Sequence, residues 1–206
     1  MYRISLTGAQ GTGKSTLARA IGAQLRIDGV VGVEICSGVG ERVALSGFAT
    51  GARAGIDAVR HFAQLHQARE AAATGRVLVF DRCLLDTLAY AEVLGCMSDA
   101  EFASLRAAAI ASSRRFAQLV WLRVTHDYPV LTPSDETPEF RRAIDAAIGR
   151  LARDNAITLF EYAMPPQQID DIVGAVLTRR RRDLAIDATE QSASVCTENP
   201  IPCDPL

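Results

Sequence analysis

Tyr2-Arg3-Ile4-Ser5-Leu6-Thr7, followed at once by Gly8-Ala9-Gln10-Gly11-Thr12-Gly13-Lys14-Ser15-Thr16, is the stretch whose reading decides the fold. Residues 2–7 form a short apolar-rich run that reads as a strand, and Leu17 to Leu25 reads as a helix. GxxxxGKS between a strand and a helix is the context in which this pattern builds a phosphate loop. Gly8, Gly11 and Gly13 can take positive φ and bring backbone N–H groups against phosphate oxygens, where a Cβ would clash. Those N–H groups open a helix, whose unpaired donors and partial positive charge favour an anion. On this reading Gly8, Gly11, Thr12, Gly13, Lys14, Ser15 and Thr16 hold the phosphates of a nucleotide. Lys14 reaches the β- and γ-phosphates, and the Ser15 hydroxyl ligates Mg²⁺. Among the 22 lysine and arginine residues every one but Lys14 is arginine. A compact ammonium fits a tight loop where a planar guanidinium would not. The bland alternative is a glycine-rich turn that happens to open a helix.

The second informative stretch is Val77-Leu78-Val79-Phe80-Asp81-Arg82. Four apolar residues and then an acid read as a buried central strand closed by a Walker B carboxylate, with Asp81 holding Mg²⁺ beside Ser15. Arg82, at the strand's carboxyl end, is placed to grip an anionic substrate or the transferring phosphoryl group; otherwise it makes a surface ion pair.

Around these motifs the chain alternates. Val30 to Ile35 reads as a second strand after the Asp28-Gly29 turn. Residues 37–55 hold five glycines and little periodicity, so they read as an irregular active-site loop or a poorly ordered one. Glu34, Glu41 and Arg42 fall at or just past that strand's carboxyl end, where open α/β sheets bind ligands, or are simply solvated. Ile56 to Ala73 reads as a helix with Ile56, Val59, Phe62, Ala63 and Leu65 inward. Its polar face carries Arg60, His61, Gln64, His66, Gln67 and Arg69, either solvated or lining a pocket. Leu84 to Leu94 continues as a helix with Asp86, Thr87 and Tyr90, and Ser98-Asp99-Ala100-Glu101 is a capping box opening a helix to about Arg115. Leu119 to Leu122 is a fourth strand and Ile157 to Tyr162 a fifth, broken by Pro165-Pro166.

Residues 123–137 are polar, contain two prolines, and precede Thr137-Pro138-Glu139, which caps a helix beginning Phe140-Arg141-Arg142 and running to about Asn155. Mobile cover followed by arginines at a helix start is what a phosphate-covering lid requires, so Arg141 and Arg142 are candidates for the γ-phosphate. The bland alternative leaves both exposed. Gln167 to Arg182 reads as the closing helix, with Arg179 to Arg182 complementing its dipole. The expected organisation is one domain over residues 1–182 and a flexible tail over 183–206.

With 206 residues, 49% hydrophobic and 22% charged, the chain can core one domain. Its net charge of −2 gives no general reason to bind nucleic acid. No apolar run is long enough to span a membrane, and a cytoplasmic location is expected. Cys36, Cys83, Cys96, Cys196 and Cys203 show no zinc spacing and read as free thiols. The alternation of five strands with helices predicts an α/β fold with a parallel sheet covered on both faces.

GAQGTGKST followed by VLVFDRCLLDTLAY resembles the P-loop kinase superfamily, more narrowly the AAA-type ATP-binding domain of NadR-type ribosylnicotinamide kinases, over roughly residues 2–178. The resemblance implies a P-loop kinase-like three-layer sandwich with ATP and Mg²⁺ at the first loop and Asp81-Arg82 facing a small-molecule acceptor. Related kinases often carry Ser or Gly after the Asp-Arg pair; here it is Cys83. The guanine-reading [NT]KxD motif of GTPases is impossible with Lys14 as the only lysine. The expected activity is phosphoryl transfer from ATP to a nucleoside- or nucleotide-like acceptor. Lys14 and the loop amides would hold the donor, Ser15 and Asp81 the metal, and Arg82 with Arg141 or Arg142 the transition-state charge. The other reading is a nucleotide-dependent regulatory module without a small-molecule acceptor. A pocket lined by residues 34–67 separates the two.

Overall fold

The computed structural model describes residues 1–125, 136–163 and 168–197. Five strands, β1 (Tyr2–Thr7), β2 (Val33–Cys36), β3 (Val77–Asp81), β4 (Gln118–Arg123) and β5 (Phe160–Ala163), pair in parallel in the order β2-β3-β1-β4-β5. Seven α-helices among the described residues connect and cover them: α1 (Lys14–Ile27), α2 (Val39–Leu45), α3 (Ile56–Ala72), α4 (Leu84–Leu94), α5 (Asp99–Ser113), α6 (Pro138–Asp154) and α7 (Ile169–Thr197). None is long and apolar enough to cross a membrane.

The continuous apolar runs are explained by burial on both sides, since alternate residues of a strand point to opposite faces. Val77 and Val79 of β3, with Val120 and Leu122 of β4 and Ile4 and Leu6 of β1, pack against Leu17, Ile21 and Leu25 of α1 and Val173, Val176 and Leu177 of α7. Leu78, Phe80, Leu119 and Trp121 face the other way, against Leu84, Leu85 and Leu88 of α4, Leu105 and Ala109 of α5 and Ile144, Ala147 and Ile148 of α6. The result is the expected three-layer sandwich. Gly149 of α6 rests on the Trp121 ring, where a Cβ would come within 2.5 Å of the indole.

Several local expectations are corrected. Residues 37–55 are not uniformly irregular: they hold α2 and a 3-10 turn over Gly51–Arg53. β2 starts at Val33 because Gly29 and Gly32 turn left-handed (φ 76° and 73°) and use up the preceding residues. β5 starts at Phe160 because Ala156 (φ 52°) and the Ile157 N–H, which donates to the Ala152 carbonyl at 2.9 Å, still belong to the end of α6. Along α3, Val59 is buried as expected, but Ile56 and Leu65 are only half-buried, and His66 and Glu70 are buried instead. Glu70 accepts from Ser112 and Arg115, which turns that face toward α5 rather than solvent. The closing helix does not stop at Arg182: α7 runs on to Thr197, so the four arginines lie within it. Arg181 bonds Asp28 at 2.9 Å and Arg179 covers the Phe160 ring at 3.6 Å, fastening α7 to α1 and β5. Residues 126–135 of the expected lid, the Pro165-Pro166 break and residues 198–206 of the expected tail lie outside the described residues.

Candidate active site

β1 sits between β3 and β4, so the loop that leaves its carboxyl end opens beside the end of β3, with Leu6 in register with Asp81. Gly8 takes φ 145°, and a Cβ there would lie 2.5 Å from the Leu122 carbonyl oxygen, so only glycine fits. Gly13, left-handed at φ 85°, caps α1 with no side-chain hydrogen bond, and the first turn holds no acid. The opening amides of α1 therefore keep their donors and their favourable field for an anion. Lys14 is buried, with its Nζ donating to the Ala9 carbonyl and to Thr12 Oγ1 at 3.1 Å. Burial, with Arg82 nearby, pushes its ammonium down to about 7 against the pull of Asp86, Asp81 and Glu136. Thr12 Oγ1 also donates to the Ala9 carbonyl at 3.0 Å, and Thr16 is exposed on the first turn of α1.

Across the loop, Ser15 Oγ donates to Asp81 Oδ2 at 2.6 Å. A hydroxyl and a carboxylate side by side are the hard oxygen donors that Mg²⁺ takes when phosphate and water complete its shell. Among the described residues no cluster of three or more His, Cys, Asp or Glu forms a separate metal site.

Arg82 follows Asp81 in a left-handed conformation, φ 72°, which costs a side-chain-bearing residue free energy and is held from both sides. Its N–H donates to the Leu6 carbonyl at 3.0 Å, and its carbonyl accepts from Arg69. The guanidinium turns back over the loop, donating to the Gly8 carbonyl at 3.3 Å and Asp86 Oδ1 at 3.4 Å, and covers the Tyr90 ring at 5.7 Å. Asp86, at the start of α4, also accepts the N–H of Gly8 at 3.1 Å and that of Cys83 at 3.0 Å. One carboxylate thus ties the phosphate loop to the turn after β3. Cys83 is buried, and burial with Asp86 beside it pushes the thiol up to about 12, so it stays protonated.

Beside Arg82 opens a cavity of about 380 Å³. Its walls come from Gln10 of the loop, Glu41 and Ala44 of α2, Val59, Phe62 and His66 of α3, and Arg82, Asp86, Tyr90 and Glu136. Glu136 accepts from the Tyr90 hydroxyl at 2.8 Å, and burial raises its pKa from the ordinary carboxylate value.

The structure brings Lys14, Ser15, Asp81 and Arg82 together and separates the two lid arginines. Thr137 caps α6 by accepting the Phe140 N–H at 3.2 Å, which sets Arg141 and Arg142 on different faces of the first turn. Arg141 is buried and its Nε donates to the Gln10 carbonyl inside the phosphate loop at 2.8 Å. Arg142 is half exposed and bonds Glu139 at 2.8 Å. Of the residues at the end of β2, Glu41 lines the cavity, whereas Glu34 accepts the N–H groups of Thr74 and Gly75 at 3.2 and 3.0 Å, a role in holding the turn before β3. Sequence reasoning did not single out Glu136, which falls between a polar segment and a cap; of the helix face read as either solvated or lining a pocket, His66 does line the cavity, and Arg69 stands behind it.

The same fold is found in solved structures of low identity, which carry the fold and nothing further. A NadR protein in complex with NR superposes with a TM-score of 0.63 at 11% identity, over 85% of this chain and 50% of that one, so the chain spans half of the NadR protein's length. A thymidylate kinase from Ehrlichia chaffeensis gives 0.61 at 14% identity, over 86% and 97% of the two chains. A deoxyadenosine kinase from M. mycoides gives 0.59 at 14% identity, over 87% and 99%. No curated protein matches the sequence. The profile of a family described as an AAA domain matches residues 3–166, a stretch that holds the phosphate loop, the Asp81-Arg82 turn and Arg141, and the chain therefore belongs to that AAA domain family, built on the P-loop kinase fold.

Proposed function

We propose that the protein transfers a phosphoryl group from ATP to a hydroxyl of a nucleoside- or nucleotide-like small molecule. The observation that carries this reading is the 2.6 Å contact of Ser15 with Asp81, one residue before an arginine that lines a cavity. The loop amides and Lys14 would hold the β- and γ-phosphates, and Ser15 with Asp81 would hold Mg²⁺. Mg²⁺ bound there supplies charge neutralisation on the phosphate oxygens. Arg82 from one side and Arg141 from the other would stabilise the charge of the transferring group. The acceptor oxygen bonds to the γ-phosphorus as the bond to the bridging oxygen breaks, ADP leaves, and the hydroxyl proton passes to Asp81 in this assignment.

The cavity supports an acceptor over a purely regulatory module, because much of its wall comes from residues 40–66, which nucleotide binding in the loop does not require. Its polar wall is mixed in charge. Glu41, Asp86 and Glu136 line it with Arg82, which is bonded to Asp86, and Lys14 and Arg141 also act on Glu136. The test is a screen with ATP and Mg²⁺ against nucleosides, nucleoside monophosphates and nicotinamide riboside, reading phosphorylated product. Product with any of them supports the reading, and tight ATP binding with no product from any of them refutes it.

A further inference from the structure

His66 and Arg69 stand one turn apart on α3, behind the cavity wall. His66 is 1% exposed, yet it lines the cavity. The Arg69 guanidinium meets His66 Nδ1 at 2.9 Å. A guanidinium has hydrogens to give and no lone pair to offer, so Nδ1 must be the acceptor, and the neutral ring carries its proton on Nε2. Burial, together with the cations Arg69 and Arg82, holds the imidazole well below its ordinary pKa, so the ring stays neutral. Nε2 makes no hydrogen bond with any described residue. The ring therefore cannot serve as a base: one nitrogen is engaged and the other is already protonated.

Arg69 is itself fixed. Its two terminal nitrogens also donate to the carbonyls of Cys36 at 2.8 Å, Asp81 at 3.1 Å and Arg82, the carboxyl ends of β2 and β3 and the strained turn, while Nε is buried without a partner among the described residues, and the guanidinium lies 5.3 Å from the centre of the Phe80 ring. No carboxylate among the described residues forms a salt bridge with it. Two strand-end carbonyls, the turn carbonyl of Arg82 and an aromatic face hold the charge instead, so the guanidinium has little freedom to release Nδ1.

We infer that His66 reads the acceptor, presenting Nε2–H as a fixed neutral donor to a lone pair on the molecule that fills the cavity, and that Arg69 is the positioning residue that sets this tautomer. The complementary group is an uncharged carbonyl, ring nitrogen or hydroxyl oxygen. A donor group such as an amine at that point would meet hydrogen against hydrogen and be rejected, which is how a buried donor discriminates. The inference deepens the kinase reading and rests on it only for the word acceptor, since the tautomer and the binding can be read without turnover.

The test uses the full chain labelled with ¹⁵N-histidine, which has three histidines, and follows the ring nitrogens by NMR with deoxyadenosine, thymidine and nicotinamide riboside as probes. The expected result is an Nε2–H tautomer for His66 that does not titrate between about pH 5.5 and 8, that becomes mobile or titratable in Arg69→Met, and that shifts when at least one probe is added. With the probe that is turned over, His66→Leu should raise the KM for the acceptor about tenfold while the KM for ATP moves less than about twofold, and His66→Gln, which keeps an N–H, should recover most of the loss. An Nδ1–H tautomer, a titrating ring in the wild type, no response to any probe, or an unchanged acceptor KM in His66→Leu would each overturn the inference. A ring that responds to a probe that is never phosphorylated would sustain the inference and count against the kinase reading.

Discussion

Arg82 offers a way to separate what a backbone costs from what a side chain does. Its φ of 72° is pinned at both ends, by its N–H to the Leu6 carbonyl and by Arg69 on its own carbonyl, so the turn cannot relax when the side chain changes. Arg82→Ala and Arg82→Gly both remove the guanidinium and leave the buried Asp86 without that partner, so those losses cancel in the comparison. What remains is the left-handed penalty of a residue with a Cβ, about 1–2 kcal/mol, against the extra flexibility of glycine in the unfolded chain, about 0.5–1 kcal/mol. The glycine variant should be the more stable of the two by about 0.5–1 kcal/mol, the reverse of the order at an ordinary position. For a chain of this size that is a difference of about 1–4 °C in Tm. Urea unfolding followed by circular dichroism, with the two variants sharing one slope, reads it directly. Alanine equal to or above glycine would mean that the turn is not strained as described, and the argument that Arg69 holds it against that strain would fall. Both variants should lack phosphoryl transfer.

Three further outcomes follow from the geometry. Arg141→Gln should lower kcat by about a hundredfold or more, as expected for a guanidinium that stabilises the transferring group, whereas Arg142→Gln, which loses the half-exposed contact with Glu139, should stay within about threefold; equal effects in steady-state assays would erase the distinction. Gly149→Ala puts a methyl group within 2.5 Å of the Trp121 ring, whose Nε1 is held by Asp145 at 3.0 Å, and should cost about 1–3 kcal/mol in urea unfolding without changing ATP affinity; a neutral effect would show that the ring can move. His66 has its folded pKa depressed below the unfolded value of about 6.5, so the unfolded chain takes up this proton first, and the stability present above that value is lost as pH falls toward the folded pKa. Between about pH 7.5 and pH 5 the wild type should therefore lose more stability than His66→Gln, and parallel losses would contradict the buried neutral ring.

The parts of the site that were legible in the sequence are those whose residue types have one physical use. A glycine-rich turn with a solitary lysine between strand and helix, and an acid closing an apolar run, admit few other readings, and β1, β3 and β4 lie within a residue of where the apolar runs put them. The β2 and β5 boundaries moved because left-handed turns at Gly32 and Ala156 delay the strands, a property of backbone angle that hydropathy does not carry. α2 was hidden by its glycines, Gly38 and Gly40, which break periodicity in a helix of only seven residues. For His66 and Arg69 the sequence left a solvated face and a pocket wall both open, because the groups that bury Arg69, the carbonyls of Cys36, Asp81 and Arg82, come from the ends of β2 and β3 and the turn that follows. For the same reason two adjacent arginines could not be told apart until the α6 cap fixed which one turns toward Gln10.

The claim on which the proposed chemistry depends is that the first loop grips a triphosphate through its amides and Lys14. Thermal unfolding with and without ATP and Mg²⁺, on the wild type and Lys14→Ala, tests it most directly. At a ligand concentration about a hundredfold above Kd the wild type should gain about 2.7 kcal/mol, a rise of several degrees in Tm, and Lys14→Ala should gain nothing measurable. A wild type that ignores ATP, or a Lys14→Ala protein stabilised as much as the wild type, would contradict it.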